Sequence, residues 1–308
     1  MNEQTTAVGT SILPDDLVSP EWLHDHLRAP SLRVVDIRGY VKTHDLGNGR
    51  QKGVYLGARD EYDAGHIPGA TYVDWTTDIV DPDADVKAQI APADLFARRM
   101  EVIGVGDETD VVVVDHAGGH LATRLWWALR YYGHDRVAIL DGGYQAWNAL
   151  GLPLTADKTT FDDVVFTPNA VPSLVSNRDD VLGHTLAGDR QILDARAPGQ
   201  YSGAVQRGTR GGHIPGALNV PAAAMMNEEG RWKSPAVLRA EIVAAGVDLA
   251  RPATAYCNGG VTATQLLFGL HRAGAVEISN YDGSWNEWGE RPELPVEGNQ
   301  DLFNPGSK

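Results

Sequence analysis

Gly65-His66-Ile67-Pro68-Gly69-Ala70 returns, residue for residue, as Gly212-His213-Ile214-Pro215-Gly216-Ala217. A self-similar stretch at long spacing is the mark of a duplicated unit, and its neighbours extend the match in both directions. Upstream, Leu32-Arg33-Val34-Val35-Asp36-Ile37-Arg38 answers to Gln191-Ile192-Leu193-Asp194-Ala195-Arg196. Downstream, Leu140-Asp141-Gly142-Gly143-Tyr144-Gln145-Ala146-Trp147 answers to Tyr281-Asp282-Gly283-Ser284-Trp285-Asn286-Glu287-Trp288. Gly119 and Gly260, Asp141 and Asp282, and Trp147 and Trp288 are each 141 positions apart, so this region aligns without a gap. The same offset carries Cys257 back onto His116. The chain is a tandem repeat in which one copy holds a thiol.

Each copy alternates strand and helix. Val111–Val114 is a short β-branched run of the kind buried in a parallel sheet. A glycine turn at Ala117–Gly119 follows, then a helical pattern over Leu121–Tyr131, then a second buried strand over Val137–Leu140 stopped by Asp141-Gly142-Gly143. The second copy repeats this with a strand over Ala253–Tyr256, a loop, a helix over Ala263–Arg272 and a strand over Val276–Ser279. This order predicts an α/β fold of two tandem domains, each a parallel sheet flanked by helices. The boundaries expected are 1–152, an interdomain linker over 153–172 without clean periodicity, and 173–308.

Bulk properties bound the function. The 308 residues suffice for two ordinary domains, and 43% hydrophobic with 22% charged residues is a globular composition. A net charge of −15 excludes the basic footprint of a nucleic-acid or anionic-membrane binder. Any small anionic substrate then needs its own local cations. A single cysteine excludes an intramolecular disulfide and a multi-cysteine metal site, and suits a reducing, cytoplasmic setting. Neither a leader-like N-terminus nor a run of the ~18 to 20 apolar residues that span a bilayer is present in the sequence.

Cys257 sits where a strand ends and a helix begins, in Tyr256-Cys257-Asn258-Gly259-Gly260-Val261-Thr262. Glycines let successive amides curl inward into an anion-binding nest, and the positive end of the following helix adds to the field. A thiolate there is stabilised and reactive. A lone cysteine is more often an inert buried thiol, but the paired glycines at a strand-to-helix junction, where open sheets bind ligands, favour function.

These residues resemble the rhodanese-type sulfurtransferases, the thiosulfate and 3-mercaptopyruvate sulfurtransferase family. Cys257–Thr262 looks like their six-residue active-site loop, Leu17-Val18-Ser19-Pro20-Glu21-Trp22-Leu23 like their opening segment, and Asp282–Trp288 like their closing motif. The resemblance covers nearly the whole chain and implies a catalytic second domain beside an inactive first one. It implies a ping-pong reaction in which Cys257 takes sulfane sulfur from thiosulfate or 3-mercaptopyruvate as a persulfide and passes it to cyanide or a thiol, a thioredoxin-like protein being one such acceptor. The amides of Asn258, Gly259, Gly260, Val261 and Thr262 would cradle the persulfide, with no metal or organic cofactor. It also implies an arginine just ahead of the second Gly-His-Ile-Pro motif, which makes Arg207 and Arg210 candidates for the donor's anionic group, and a facing role for His66 across the domain interface.

The pattern departs from the family in two places. Thiosulfate enzymes usually have basic residues at the second and third loop positions, and mercaptopyruvate enzymes have glycine and then a hydroxyl residue. Here Asn258 and Gly259 offer neither, which favours thiosulfate as the assay donor. Gln200 stands where an arginine is usual. His116 cannot carry sulfane sulfur, and the repeated Arg38 and Arg196 read as structural salt-bridge partners. A phosphatase of the same fold would need an arginine as the sixth residue after the cysteine, where this chain has Ala263. A non-enzymatic binding module and a dedicated persulfide carrier for a protein acceptor are the remaining alternatives. The module usually lacks the cysteine, and the carrier needs the same loop as the enzyme.

Overall fold

The computed structural model describes residues 10–116 and 119–298. The expectations for the extreme N-terminus, for Ala117 and Gly118 in the glycine turn, and for the last ten residues lie outside them.

Two five-stranded sheets carry the duplication into three dimensions. The first runs Leu17–Val18, Val137–Leu140, Asp110–Val114, Leu32–Asp36, Ala70–Tyr72, with every pair parallel. The second runs Val175–Ser176, Ile278–Tyr281, Ala253–Tyr256, Gln191–Asp194, Leu218–Asn219, again all parallel and in the equivalent order. Buried on both faces, the inner strands are continuous apolar or small-residue runs rather than alternating ones. The last long strand begins at Ile278, two residues later than its composition suggests. Val276 is 68% exposed, and pairing with the neighbouring strand starts at Ala253 opposite Ile278.

The helices His120–Tyr131 and Ala263–Arg272 pack on each other across the two halves. Both are apolar almost all round, because one face covers its own sheet and the other meets the partner helix. Trp126 meets Phe268 edge-on with ring centroids 5.0 Å apart. One buried cluster therefore runs from Val35 and Val113 through Leu125 to Leu266 and Ala255, while two smaller clusters lie on the outer faces. Between residues 153 and 172 the chain forms no strand or helix until Pro172, but it is tied down: Thr155 exchanges backbone hydrogen bonds with His66, and Phe166 is buried.

A second link between the halves was absent from the sequence reading. Gly39–Gly47 and Arg50–Gly57 form an antiparallel hairpin, and Gln206–Arg207 of the second half adds to it as a parallel third strand. Asn48 and Gly49 make the two-residue turn with φ of 53° and 73°. Left-handed backbone at both positions is what an Asn-Gly hairpin turn requires.

Candidate functional site

Cys257 follows directly on the strand Ala253–Tyr256 and is 3% exposed. Its strand is anchored by Tyr256, whose buried hydroxyl donates to Asp194 and accepts the amide of Ile214. The loop beyond it is shaped by a second turn packed underneath. Ser284 Oγ accepts the amides of Cys257 (3.1 Å) and Gly260 (3.0 Å) and donates to the carbonyl of Tyr281. The Trp285 and Asn286 amides donate to the carbonyls of Cys257 and Asn258 at 3.1 and 2.8 Å. Ser284 itself has φ of 51°, an uncommon conformation for a residue with a side chain, held by these contacts.

Gly260 is the loop's conformational hinge. Its φ is +71°, and a Cβ there would lie 2.5 Å from the Asp282 carbonyl. Its own carbonyl accepts Arg124 Nη1 (3.2 Å) and Asn280 Nδ2 (3.0 Å). Arg124 comes from the first half, forms a buried ion pair with Asp282 and also donates to the Ala88 carbonyl. With these bonds made, the amides of Asn258, Gly259, Val261 and Thr262 donate to no protein acceptor among the described residues. They stand immediately before the N-terminus of the helix Ala263–Arg272, whose dipole favours negative charge.

Cys257 opens onto a cleft of about 580 Å³ built from both halves. Val41, Thr43 and Gln51 of the hairpin and His120 of the first half face Gln200, Arg207, Asn258 and Thr262. A relay of amides crosses it: Asn258 Nδ2 donates to Gln200 Oε1 (3.1 Å), and Gln200 Nε2 donates to Gln51 Oε1 (3.2 Å). Gln200 thus forms a bridge between the halves. The His120 imidazole has no hydrogen-bond partner among the described residues. Burial holds its pKa below the usual histidine range, reinforced by His116 and opposed by Asp115. A larger cavity of about 850 Å³ adjoins the cleft and shares Gln51 and Arg207 with it.

The two candidate arginines part company. Arg207 lines both cavities, with its guanidinium close against Gly53 and 5.9 Å from the Tyr55 ring centroid. It makes no side-chain hydrogen bond or ion pair among the described residues, so its charge is available to an anion. Arg210 is corrected to a structural part. Its guanidinium donates to the carbonyls of Trp288, Gly289, Arg291 and Leu294, and it does not line the cleft. Those contacts engage all three guanidinium nitrogens with carbonyls at and beyond the end of the helix Ser284–Trp288.

His66 is corrected as well. It is 1% exposed, stacked on Tyr62, and both ring nitrogens are taken up by the Tyr62 and Asp157 carbonyls. His213 repeats the arrangement on Tyr201. Both histidines anchor the turn they begin. Arg38 and Arg196 pair with Asp36 and Asp194 in buried ion pairs at 2.9 and 2.6 Å. His116, at the position equivalent to Cys257, bonds Glu61 instead. Sequence reasoning missed Tyr55, Arg124 and Ser284. The Asn48-Gly49 turn was a usable signal for the hairpin that brings Tyr55, while Arg124 is visible only once the helices are docked.

Among the described residues, no group of three or more His, Cys, Asp or Glu is placed to hold a metal, and no helix is long and apolar enough to cross a membrane.

Comparison with known proteins agrees over nearly the whole chain. The model of the rhodanese-like domain matches residues 19–150 and again 178–291. Mouse 3-mercaptopyruvate sulfurtransferase is 33% identical over 283 residues, covering 88% of this chain and 91% of the relative. Rat thiosulfate sulfurtransferase is 34% identical over 292 residues, covering 91% and 94%. Among solved structures, the 3-mercaptopyruvate sulfotransferase SseA from Escherichia coli superposes with a TM-score of 0.77 at 30% identity, covering 88% of this chain and 98% of that one.

Proposed function

This chain belongs to the rhodanese-like family, as a tandem of two such domains, and from that premise we propose that it is a sulfurtransferase working through a persulfide on Cys257. The thiolate attacks the outer sulfur of thiosulfate or the thiol sulfur of 3-mercaptopyruvate, and an acceptor thiol, or cyanide in an assay, removes that sulfur in a second step. The observation that carries the reading is the pairing of the only thiol in the chain with four unspent loop amides in a cleft that also holds the unpaired guanidinium of Arg207. The amides stabilise the charge that moves from Sγ to the outer sulfur, and Arg207 holds the donor's sulfonate or carboxylate. Thr262 lines the same cleft and adds a hydroxyl donor. The first half lacks a nucleophile, with His116 in its place, and contributes cleft wall and loop support instead.

The acceptor we favour is a thiol, carried by a small molecule or a thioredoxin-like protein, and the compartment is cytoplasmic, where a lone cysteine stays reduced. Intact mass after incubation with each donor tests the reading. The expected result is one added sulfur atom per chain, removed by cyanide or dithiothreitol, and none on Cys257→Ser. Full turnover by Cys257→Ser, or an unshifted mass with both donors, overturns it.

A further inference from the structure

The third position of the active-site loop is bare, yet a hydroxyl occupies the space its side chain would take. A Cβ on Gly259 would lie 2.9 Å from Tyr55 Oη and 3.0 Å from Asn286 Nδ2. Gly259 is not among the residues with positive φ, so its backbone does not call for glycine. What excludes a side chain there is the phenol arriving from the other half of the molecule.

Tyr55 is held by its strand, an aromatic neighbour and a side-chain amide. It lies on the hairpin strand Arg50–Gly57, its ring packs against Trp75 at 5.1 Å, and its hydroxyl accepts Asn286 Nδ2 at 3.4 Å. That hydroxyl donates to no acceptor among the described residues, so its proton is free for a ligand. Tyr55 lines the 850 Å³ cavity beside Arg207, and Arg207 also lines the cleft of Cys257. Burial pushes the phenol's pKa up, Arg207 pulls it down, and the nearby charge of Cys257 pushes it up again, so the group stays protonated through neutral pH.

We infer that Tyr55 supplies from the first domain the hydroxyl that the loop lacks, donating it to the carbonyl oxygen of a 2-oxo-acid donor such as 3-mercaptopyruvate. This rests on the persulfide reading of Cys257. The Cys257 thiolate forms a bond to the donor's thiol sulfur while that sulfur's bond to the methylene carbon breaks. The bonding pair passes to the carbon and is held as an enolate. The sulfur is oxidised to the sulfane level and the carbon is reduced. The Tyr55 proton moves to the enolate oxygen, the enol becomes pyruvate in water, and the proton released by the new persulfide restores the phenol through solvent. Thiosulfate makes no such demand, because sulfite leaves as a stable anion. The proposal therefore reverses the donor preference that Gly259 alone suggests.

The test is Tyr55→Phe assayed with both donors. A lost proton donor costs roughly 10²-fold or more in turnover, so kcat with 3-mercaptopyruvate should fall by about that factor while its KM, set by Arg207 and the amides, moves little. The ratio of kcat/KM for the two donors should shift toward thiosulfate by at least about ten-fold. Gly259→Ser added to Tyr55→Phe places a hydroxyl on the loop where the phenol's oxygen was, and should recover much of the lost turnover. Equal losses on both donors, or a change in KM alone, overturn the inference whether or not the double variant folds. Wild-type protein that takes sulfur from thiosulfate but not from 3-mercaptopyruvate overturns it while leaving the persulfide reading intact. Failure with both donors removes that reading first.

Discussion

The hydroxyls of Thr123 and Thr264, equivalent residues 141 positions apart, meet at 3.0 Å in the buried seam between the two halves. Two turns further along the same helix surfaces, Arg130 reaches His271, again its own equivalent at a separation of 141. Each copy thus presents the same face to the other, as subunits do about a two-fold axis. The duplicated units are packed as a covalent dimer.

That symmetry breaks at the next residue, and the break can be measured. Arg124 corresponds to Gln265, and only Arg124 forms a buried ion pair, with Asp282, while gripping the Gly260 carbonyl. Arg124→Met leaves a buried carboxylate without its cation. The expected loss is about 3–5 kcal/mol, read as a lower urea midpoint, together with reduced sulfur transfer because the loop loses a support. A midpoint within error of wild type would show that Asp282 is satisfied by the Ile90 amide and Asn280 Nδ2 without its cation.

The two candidate arginines should separate in kinetics. Arg207→Ala removes a charge-assisted contact to the donor worth about 1.5–3 kcal/mol, so KM should rise roughly ten- to hundred-fold with kcat nearly unchanged. Arg210→Ala should leave KM alone and lower the melting temperature, since four carbonyls each lose a charged donor. Steady-state kinetics paired with thermal melts distinguishes them, and reversed behaviour would relocate the anion site.

Gly260→Ala should fold poorly around the active site. Left-handed backbone costs a side chain about 1–2 kcal/mol, and the added Cβ collides with the Asp282 backbone as well. Displacement of the loop should lower turnover by at least about 10²-fold while circular dichroism stays native. Wild-type turnover in this variant would mean the loop relaxes without moving its amides.

Stability should fall as the pH drops below about 6.5, the ordinary histidine value. Burial lowers the pKa of His134, and that of His120 likewise. Above that pH both states are neutral and the histidines add no slope. Below it the unfolded chain binds protons that the folded chain refuses until the pH reaches the depressed values, so the unfolded state gains. Thermal melts stepped from neutral to mildly acid pH should show this decline, and His134→Gln should flatten it. An identical slope in the variant would assign the decline to His120 or to carboxylates instead.

The repeat, the central strands and the loop helix were legible because buried strands and helix-facing glycines leave local patterns. Ala253–Tyr256 and Ala263–Arg272 have the bounds their composition implies. What stayed hidden depends on contacts between segments far apart in the chain. His66 and Arg210 carry the chemistry of ligand binders and are instead used up by carbonyls, which no spacing rule discloses. Tyr55 reads as an ordinary strand aromatic until the hairpin is seen to cross into the second half. The hairpin itself had a local sign in Asn48-Gly49, and that sign fixes only the turn, not its destination.

The hairpin's outer end, from Thr43 to Gly47, is exposed, while its base at Val54 and Tyr55 is half-buried beside the catalytic loop. Its length and sequence at the tip bear on neither sheet, and its base decides which atoms stand opposite position 259. On the role inferred for Tyr55, selectivity is inherited through a different segment from reactivity. Exchanging residues of the hairpin's base while keeping Gln51, which ties it through Gln200 to Asn258, would leave the sequence of the nucleophile's own loop untouched.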